Sequence, residues 1–201
     1  MLIRDRSWPK AYARRCERAD VALGLALARG KDHQGIRALA VMSEGGGWKA
    51  LLAVSAGTLA YGLVSGNPRL ATAGRHMLEA GILASLVKTT AKRLLHRTRP
   101  NVLMDTGLYR RGWLGPNEGP WQSFPSGHSA LSVAVACAAA RAYPEIRSAV
   151  YAGAAGVVLV QVLRGAHFPS DVIAGSLIGL TAEAATNAFG ASPVDLASEP
   201  R

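Results

Sequence analysis

Cysteine is nearly missing from this chain of 201 residues: there are 2, Cys16 in a basic stretch and Cys137 inside an apolar run. That scarcity excludes a disulfide framework and a cysteine-based metal site. Acidic residues are also short, with 13 Asp and Glu against 23 Lys and Arg and a formal net charge of +10. A nucleic-acid binder carries such a charge, but seldom together with 49% hydrophobic residues, so nucleic acid is not the expected partner. Anionic lipid headgroups and phosphorylated substrates at a bilayer account for both features. The charged N-terminus has no long apolar core followed by a small-residue cleavage site, so a cleaved secretory leader is not expected. Internal repeats and low-complexity tracts are missing as well.

What is present is apolar helical sequence. Five stretches have the length and polarity of membrane helices: about Trp48 to Val64, Leu70 to Leu95, Ser126 to just before Pro144, Ile146 to Leu163, and Asp171 to Phe189. Proline ends the second at Arg99-Pro100. The expected architecture is therefore all-α, a membrane helical bundle of about five transmembrane helices. Residues 1–44 form a basic amphipathic segment lying at the interface, residues 45–190 the transmembrane domain, and residues 191–201 a tail. The spans are rich in Ala and Gly, near the threshold for insertion, which leaves a soluble bundle open. The same small residues let helices approach closely in lipid and permit self-association. Glu79 and Lys88 fall inside the second span, where ionisable groups are costly and often functional.

Three elements carry chemistry. Lys92 precedes Arg99-Pro100 at the end of the second helix. On its own this reads as headgroup anchoring. Phe124-Pro125-Ser126-Gly127-His128 places small residues at a helix start, where free N–H groups and the helix dipole bind anions. His128 in the first turn suits proton donation at neutral pH, against the bland reading of a capped helix. Arg164-Gly165-Ala166-His167-Phe168-Pro169-Ser170-Asp171 joins an arginine, a histidine and a carboxylate in one short connection. An acid four residues beyond a histidine can accept one ring N–H and free the other nitrogen to attack phosphorus. The bland reading is a polar turn. The order of the spans places all three elements at one membrane face, where chance would scatter them.

Together these motifs resemble the type 2 phosphatidic acid phosphatase superfamily over roughly Trp48 to Gly190. That superfamily includes lipid phosphatases, bacterial class A acid phosphatases and vanadium haloperoxidases. The resemblance implies a small bacterial membrane lipid phosphatase in the inner membrane, with no cofactor or metal. It implies that His167 attacks phosphorus, His128 protonates the leaving group and Asp171 orients His167. Lys92, Arg99, Ser126 and Gly127 would hold the phosphate. One position departs: the family's Ser-Arg pair falls on Val160-Gln161, and Arg164 is the candidate to replace the lost guanidinium. A polyprenyl or glycerolipid phosphate or diphosphate is the implied substrate. A soluble acid phosphatase, a haloperoxidase-like enzyme and a catalytically silent lipid-phosphate binder are the competing readings. The excess of Lys and Arg before the first span puts the site on the cytoplasmic side.

Overall fold

The structure is a computed structural model that describes residues 8–190; the tail expected at 191–201 lies outside them. In chain order the elements are α1 (Trp8–Leu27), α2 (Gln34–Ser43), α3 (Trp48–Val64), α4 (Pro68–Leu94), β1 (Leu95–Arg97), α5 (Pro100–Thr106), β2 (Arg111–Trp113), α6 (Gly127–Ala142), α7 (Arg147–Leu163) and α8 (Pro169–Gly190). Local chemistry sets several starts. Asn67 accepts a hydrogen bond from the Leu70 amide with Pro68 at the first helical position, and the Ser126 side chain caps α6. These are the residue types that satisfy or remove the unpaired N–H groups of a first turn.

α4, α6 and α8 form the centre, around Met77, Ala80, Ala84, Ala134, Val135, Ala138, Ala139 and Ala182. A core so poor in large side chains holds because the backbones lie close together. A Cβ on Gly179 of α8 would sit 2.4 Å from the Ala130 carbonyl of α6, and one on Gly175 would sit 2.4 Å from the Ser126 carbonyl. Gly62 and Gly74 do the same between α3 and α4, where added Cβ atoms would come within 2.3 Å of Ala71 N and 2.2 Å of Leu59 N. Small residues at such crossings exchange side-chain volume for close contact between whole helices.

The helices fall where the sequence places them, but the expected count of about five spans is wrong. Two helices among the described residues are long and apolar enough to cross a membrane, Pro144–Leu163 and Pro169–Gly190. There are three if Gln34–Gly46 and Trp48–Val64, bent by 44°, make one broken span. The physical reason is visible in the other helices. α6 has only 16 residues, and most of its face is buried by its neighbours. α4 has 27 residues but carries Arg69, Arg75, Glu79, Lys88, Lys92 and Arg93. Apolar residues that face other helices had been counted as facing lipid. The segment from Asn101 to Phe124 contains most of α5 and the strand β2. β2 pairs antiparallel with β1 in the register Leu95↔Trp113, His96↔Gly112, Arg97↔Arg111. Apart from this short ribbon the described chain is helical.

Gly179→Leu should lower stability by about 2–3 kcal/mol through overpacking against α6. Gly153→Ala, where nothing lies within 4 Å of the added Cβ, should be neutral or slightly stabilising; thermal unfolding in detergent measures both.

Candidate active site

β1 delivers Arg97 into the interior, and much of the site is assembled on it. Its Nη1 donates to Asp171 Oδ1 at 2.7 Å and to Ser170 Oγ at 2.8 Å. Its Nη2 donates to Asp20 Oδ2 at 2.6 Å, and its Nε to the Tyr109 hydroxyl at 3.1 Å. The guanidinium also lies 4.1 Å from the centre of the Phe168 ring, a cation–π contact. Burial opposes the charge, but Asp171, Asp20 and Tyr109 outweigh it and raise Arg97 above its ordinary value. Asp20 reaches across from α1 to accept from the Ser170 amide at 2.8 Å and the Ser170 hydroxyl at 2.6 Å. One guanidinium and two carboxylates thus tie α1, β1 and the start of α8 together.

His167 lies in the connection between α7 and α8, which reverses at Gly165 with φ +69°, a conformation glycine adopts without strain. The imidazole is 3% exposed. Its Nδ1 lies 2.6 Å from the Ser123 carbonyl oxygen. A carbonyl only accepts, so Nδ1 carries the proton and Nε2 keeps its lone pair. Asp171 does not make the direct bond that the four-residue spacing suggests, for its Oδ2 is 4.0 Å from Nδ1. Oδ2 instead accepts from Ser123 Oγ at 2.5 Å and the Phe168 amide at 2.8 Å. The carboxylate therefore reaches His167 through Ser123, whose hydroxyl binds the acid while its carbonyl binds the ring. Burial, and then the charges of Lys92 and Arg99, push His167 well below its ordinary value and keep it neutral.

The cations gather around the start of α6. Lys92, in the last turn of α4, donates to the Gln122 carbonyl at 2.6 Å. Burial, then Arg99 and Lys88, push its ammonium down to about 7. Arg99 immediately precedes α5, and its buried Nε has no hydrogen-bond partner among the described residues. Burial and the nearby Arg164 lower it. Ser126 is buried and its amide donates to the Asp171 carbonyl at 3.0 Å, which fastens the α6 start to the α8 start. Gly127 and His128 follow in the first turn, where helix N–H groups lack intrahelical acceptors. The buried His128 Nε2 makes no hydrogen bond among the described residues, but Glu44 Oε2 lies 3.4 Å from it, within ion-pair distance.

The structure thus brings His128, His167, Lys92, Arg99, Ser126, Gly127 and Asp171 to one end of the bundle. Arg164 joins them, close enough to act electrostatically on both Arg99 and His128. Gln161 is fully buried and turns away, its Nε2 donating to Ser43 Oγ and the Val157 carbonyl, each at 3.3 Å. Lys88 lies one turn before Lys92, with Nζ 3.8 Å from where a Gly127 Cβ would be, whereas Glu79 pairs with Arg75 at 3.1 Å. Arg97, Asp20, Ser123 and Glu44 are contributors that the motifs did not reveal. A cavity of about 730 Å³ between α1 and the ribbon is lined by Asp20, Arg97 and Ser170 but by none of the clustered cations or imidazoles.

The chain is similar to known proteins in sequence and in fold. A family model described as the PAP2 superfamily matches residues 73–191. Lipid A 1-phosphatase of Rhizobium etli is 35% identical over 108 residues, covering 53% of this chain and 45% of the relative. Its counterpart in Rhizobium johnstonii is also 35% identical over 108 residues, covering 53% and 43%. The matched region therefore spans less than half of the length of these curated relatives. The crystal structure of Aquifex aeolicus LpxE superposes with a TM-score of 0.61 at 19% identity, over 83% of this chain and 93% of that one.

Arg97→Met should destabilise the protein by about 3–5 kcal/mol, because Asp171 and Asp20 would lose the cation they share in the interior. Combining it with Asp171→Leu should recover part of that loss in the same unfolding measurement.

Proposed function

The chain belongs to the PAP2 superfamily, and on that premise we propose that it is a membrane lipid phosphatase working through a phosphohistidine on His167. A phosphate monoester near neutral pH carries up to two negative charges, which repel a nucleophile unless cations and dipoles spread them. Lys92, Arg99, Arg164 and the N–H groups at the start of α6 meet that need. The observation that carries the reading is the convergence of Lys92, Arg99 and His128 on a histidine held in its nucleophilic tautomer, with the buried Arg99 Nε left without a hydrogen-bond partner among the described residues.

In the first step, Nε2 of His167 forms a bond to phosphorus as the bond to the lipid oxygen breaks. The departing oxygen takes the electron pair and a proton from His128, so the lipid leaves as an alcohol, or as a phosphorylated lipid if the substrate is a diphosphate. In the second step, His128 takes a proton from water, the oxygen attacks phosphorus, and the P–N bond breaks to release inorganic phosphate and neutral His167. Asp171 and Ser123 keep Nδ1 of His167 protonated throughout.

Two features support a lipid as the leaving group. An apolar groove of about 510 Å³ between α6, α7 and α8 is lined by Val133, Tyr151, Leu159, Val162, Val172 and Leu180. It reaches the catalytic connection at Val162 and Val172. The names of the Rhizobium relatives make lipid A 1-phosphate the first substrate to test, beside polyprenyl phosphates and diphosphates and glycerolipid phosphates. Asp20 ties α1 to the site end, and α1 carries Arg14, Arg15 and Arg18. That supports a cytoplasmic-facing site by the positive-inside rule.

Phosphate release from this lipid panel should be abolished in His167→Ala, and acid-labile phosphate should appear on the wild-type chain alone. In the same assay Arg164→Ala should lose about 10²–10³ in turnover and Gln161→Ala much less; unchanged turnover in Arg164→Ala removes Arg164 from the site. A Glu118→Cys variant should resist an impermeant thiol reagent in intact cells, and labelling there would reverse the assigned orientation.

A further inference from the structure

The corner joining α2 to α3 reads Ser43-Glu44-Gly45-Gly46-Gly47, and it is built against the site. A Cβ on Gly46 would lie 2.6 Å from Val157 Cγ1 and 2.7 Å from Ser132 Oγ, so the backbone is pressed onto α6 and α7. A Cβ on Gly47 would lie 2.9 Å from the Glu44 carbonyl oxygen and 3.5 Å from His128 Nε2. Gly47 N donates to that same carbonyl at 2.8 Å, closing the turn. The hydroxyl of Ser43 takes the bond from Gln161. The next side chain, Glu44, reaches in with both oxygens: Oε1 accepts from Arg164 Nη1 at 2.7 Å, and Oε2 lies 3.4 Å from His128 Nε2.

We infer that Glu44 is a positioning residue of the phosphatase site, steering Arg164 toward the phosphate in place of the arginine replaced by Gln161 and giving His128 its counter-charge. The inference rests on the lipid phosphatase reading. Its chemical logic comes from the groups around His128. Lys88 and Lys92 on α4, Arg99 before α5, and Arg164 and His167 on the α7–α8 connection supply cations and a neutral ring. Asp171 on α8 is engaged by Arg97 and Ser123. Glu44 is the one carboxylate within ion-pair distance of His128 among the described residues. Burial lowers His128 from its ordinary value; Glu44 pulls the other way, while Arg164 and Arg99 add to the lowering. Without that carboxylate, only influences that lower His128 would remain around the ring. When a phosphate dianion binds, it supplies negative charge of its own, so the effect of Glu44 belongs to the free enzyme and to kcat/KM.

The test compares wild type, Glu44→Gln and Glu44→Asp in detergent, with a lipid phosphate that wild type hydrolyses and His167→Ala does not. Protonated His128 is required, so kcat/KM falls as pH rises through its pKa. Glu44→Gln should move that alkaline limb down by about one pH unit, and Glu44→Asp should restore part of the shift. The His128 ring, followed by NMR against a His128→Gln reference, should titrate lower in Glu44→Gln by the same amount. A uniform loss of activity with an unmoved profile and an unmoved ring titration would reduce Glu44 to a structural role. A lower KM and tighter inhibition by vanadate, again with an unmoved profile, would instead make Glu44 a stand-in for phosphate and overturn the inference. If wild type hydrolyses nothing in the panel, the phosphatase reading fails, and the NMR titration still decides whether Glu44 charges His128.

Discussion

Everything at the site depends on keeping one carboxylate ionised in the interior. Asp171 has no solvent exposure, and a buried charge is tolerated only when it is paired and hydrogen-bonded. Arg97 supplies the charge, and Ser123 and the Phe168 amide complete the coordination. Each partner comes from a different part of the chain. The electrostatic requirement of one side chain thereby fixes where β1, the segment before α6 and the start of α8 must meet. His167 is positioned as a by-product of that convergence, through the Ser123 carbonyl. The same carboxylate residue uses its backbone oxygen to hold the amide of Ser126, so His167 and the start of α6 share a common anchor.

The electrostatics of the cluster divide into two zones. Around Arg97 every charge is paired: two carboxylates share one guanidinium, and the aromatic rings of Tyr109 and Phe168 close around it. Around Lys92 and Arg99 positive charge is in excess, and burial together with neighbouring cations lowers both. An unbalanced positive pocket is costly in the empty protein and favourable once a phosphate enters, which is how binding energy is concentrated on a doubly charged group. His167 beside that pocket stays neutral through burial and the same excess of cations, since Lys92 and Arg99 discourage its protonation.

Much of this was legible in the sequence because the chemistry demands particular residue types at fixed spacings. The Lys92, Ser126 to His128 and His167 to Asp171 elements could be read for that reason, and helix order alone placed them at one end. The partners that support them could not be read this way. Arg97 and Asp20 stand 77 positions apart, and nothing local in either segment announces the pairing. A period-two alternation through Arg97 and Arg99 was the faint signal that a short strand, rather than an anchor for headgroups, follows α4. Glu44 was signalled only by an acid followed by three glycines in an otherwise basic region. The number of spans was misread because an apolar face buried against another helix looks the same in a sequence as one turned toward lipid; α6 and α4 show the two ways this happens, by shortness and by charge.

The seating of α8 on α6 has a wider consequence. Gly175 rests directly on the carbonyl of Ser126, so the element bearing Asp171 and the element bearing His128 cannot slide past one another without a backbone collision. His128 and Asp171 thus sit on a single rigid block. A side chain added at Gly175 would therefore disturb the His128 and Asp171 ends together, never one alone.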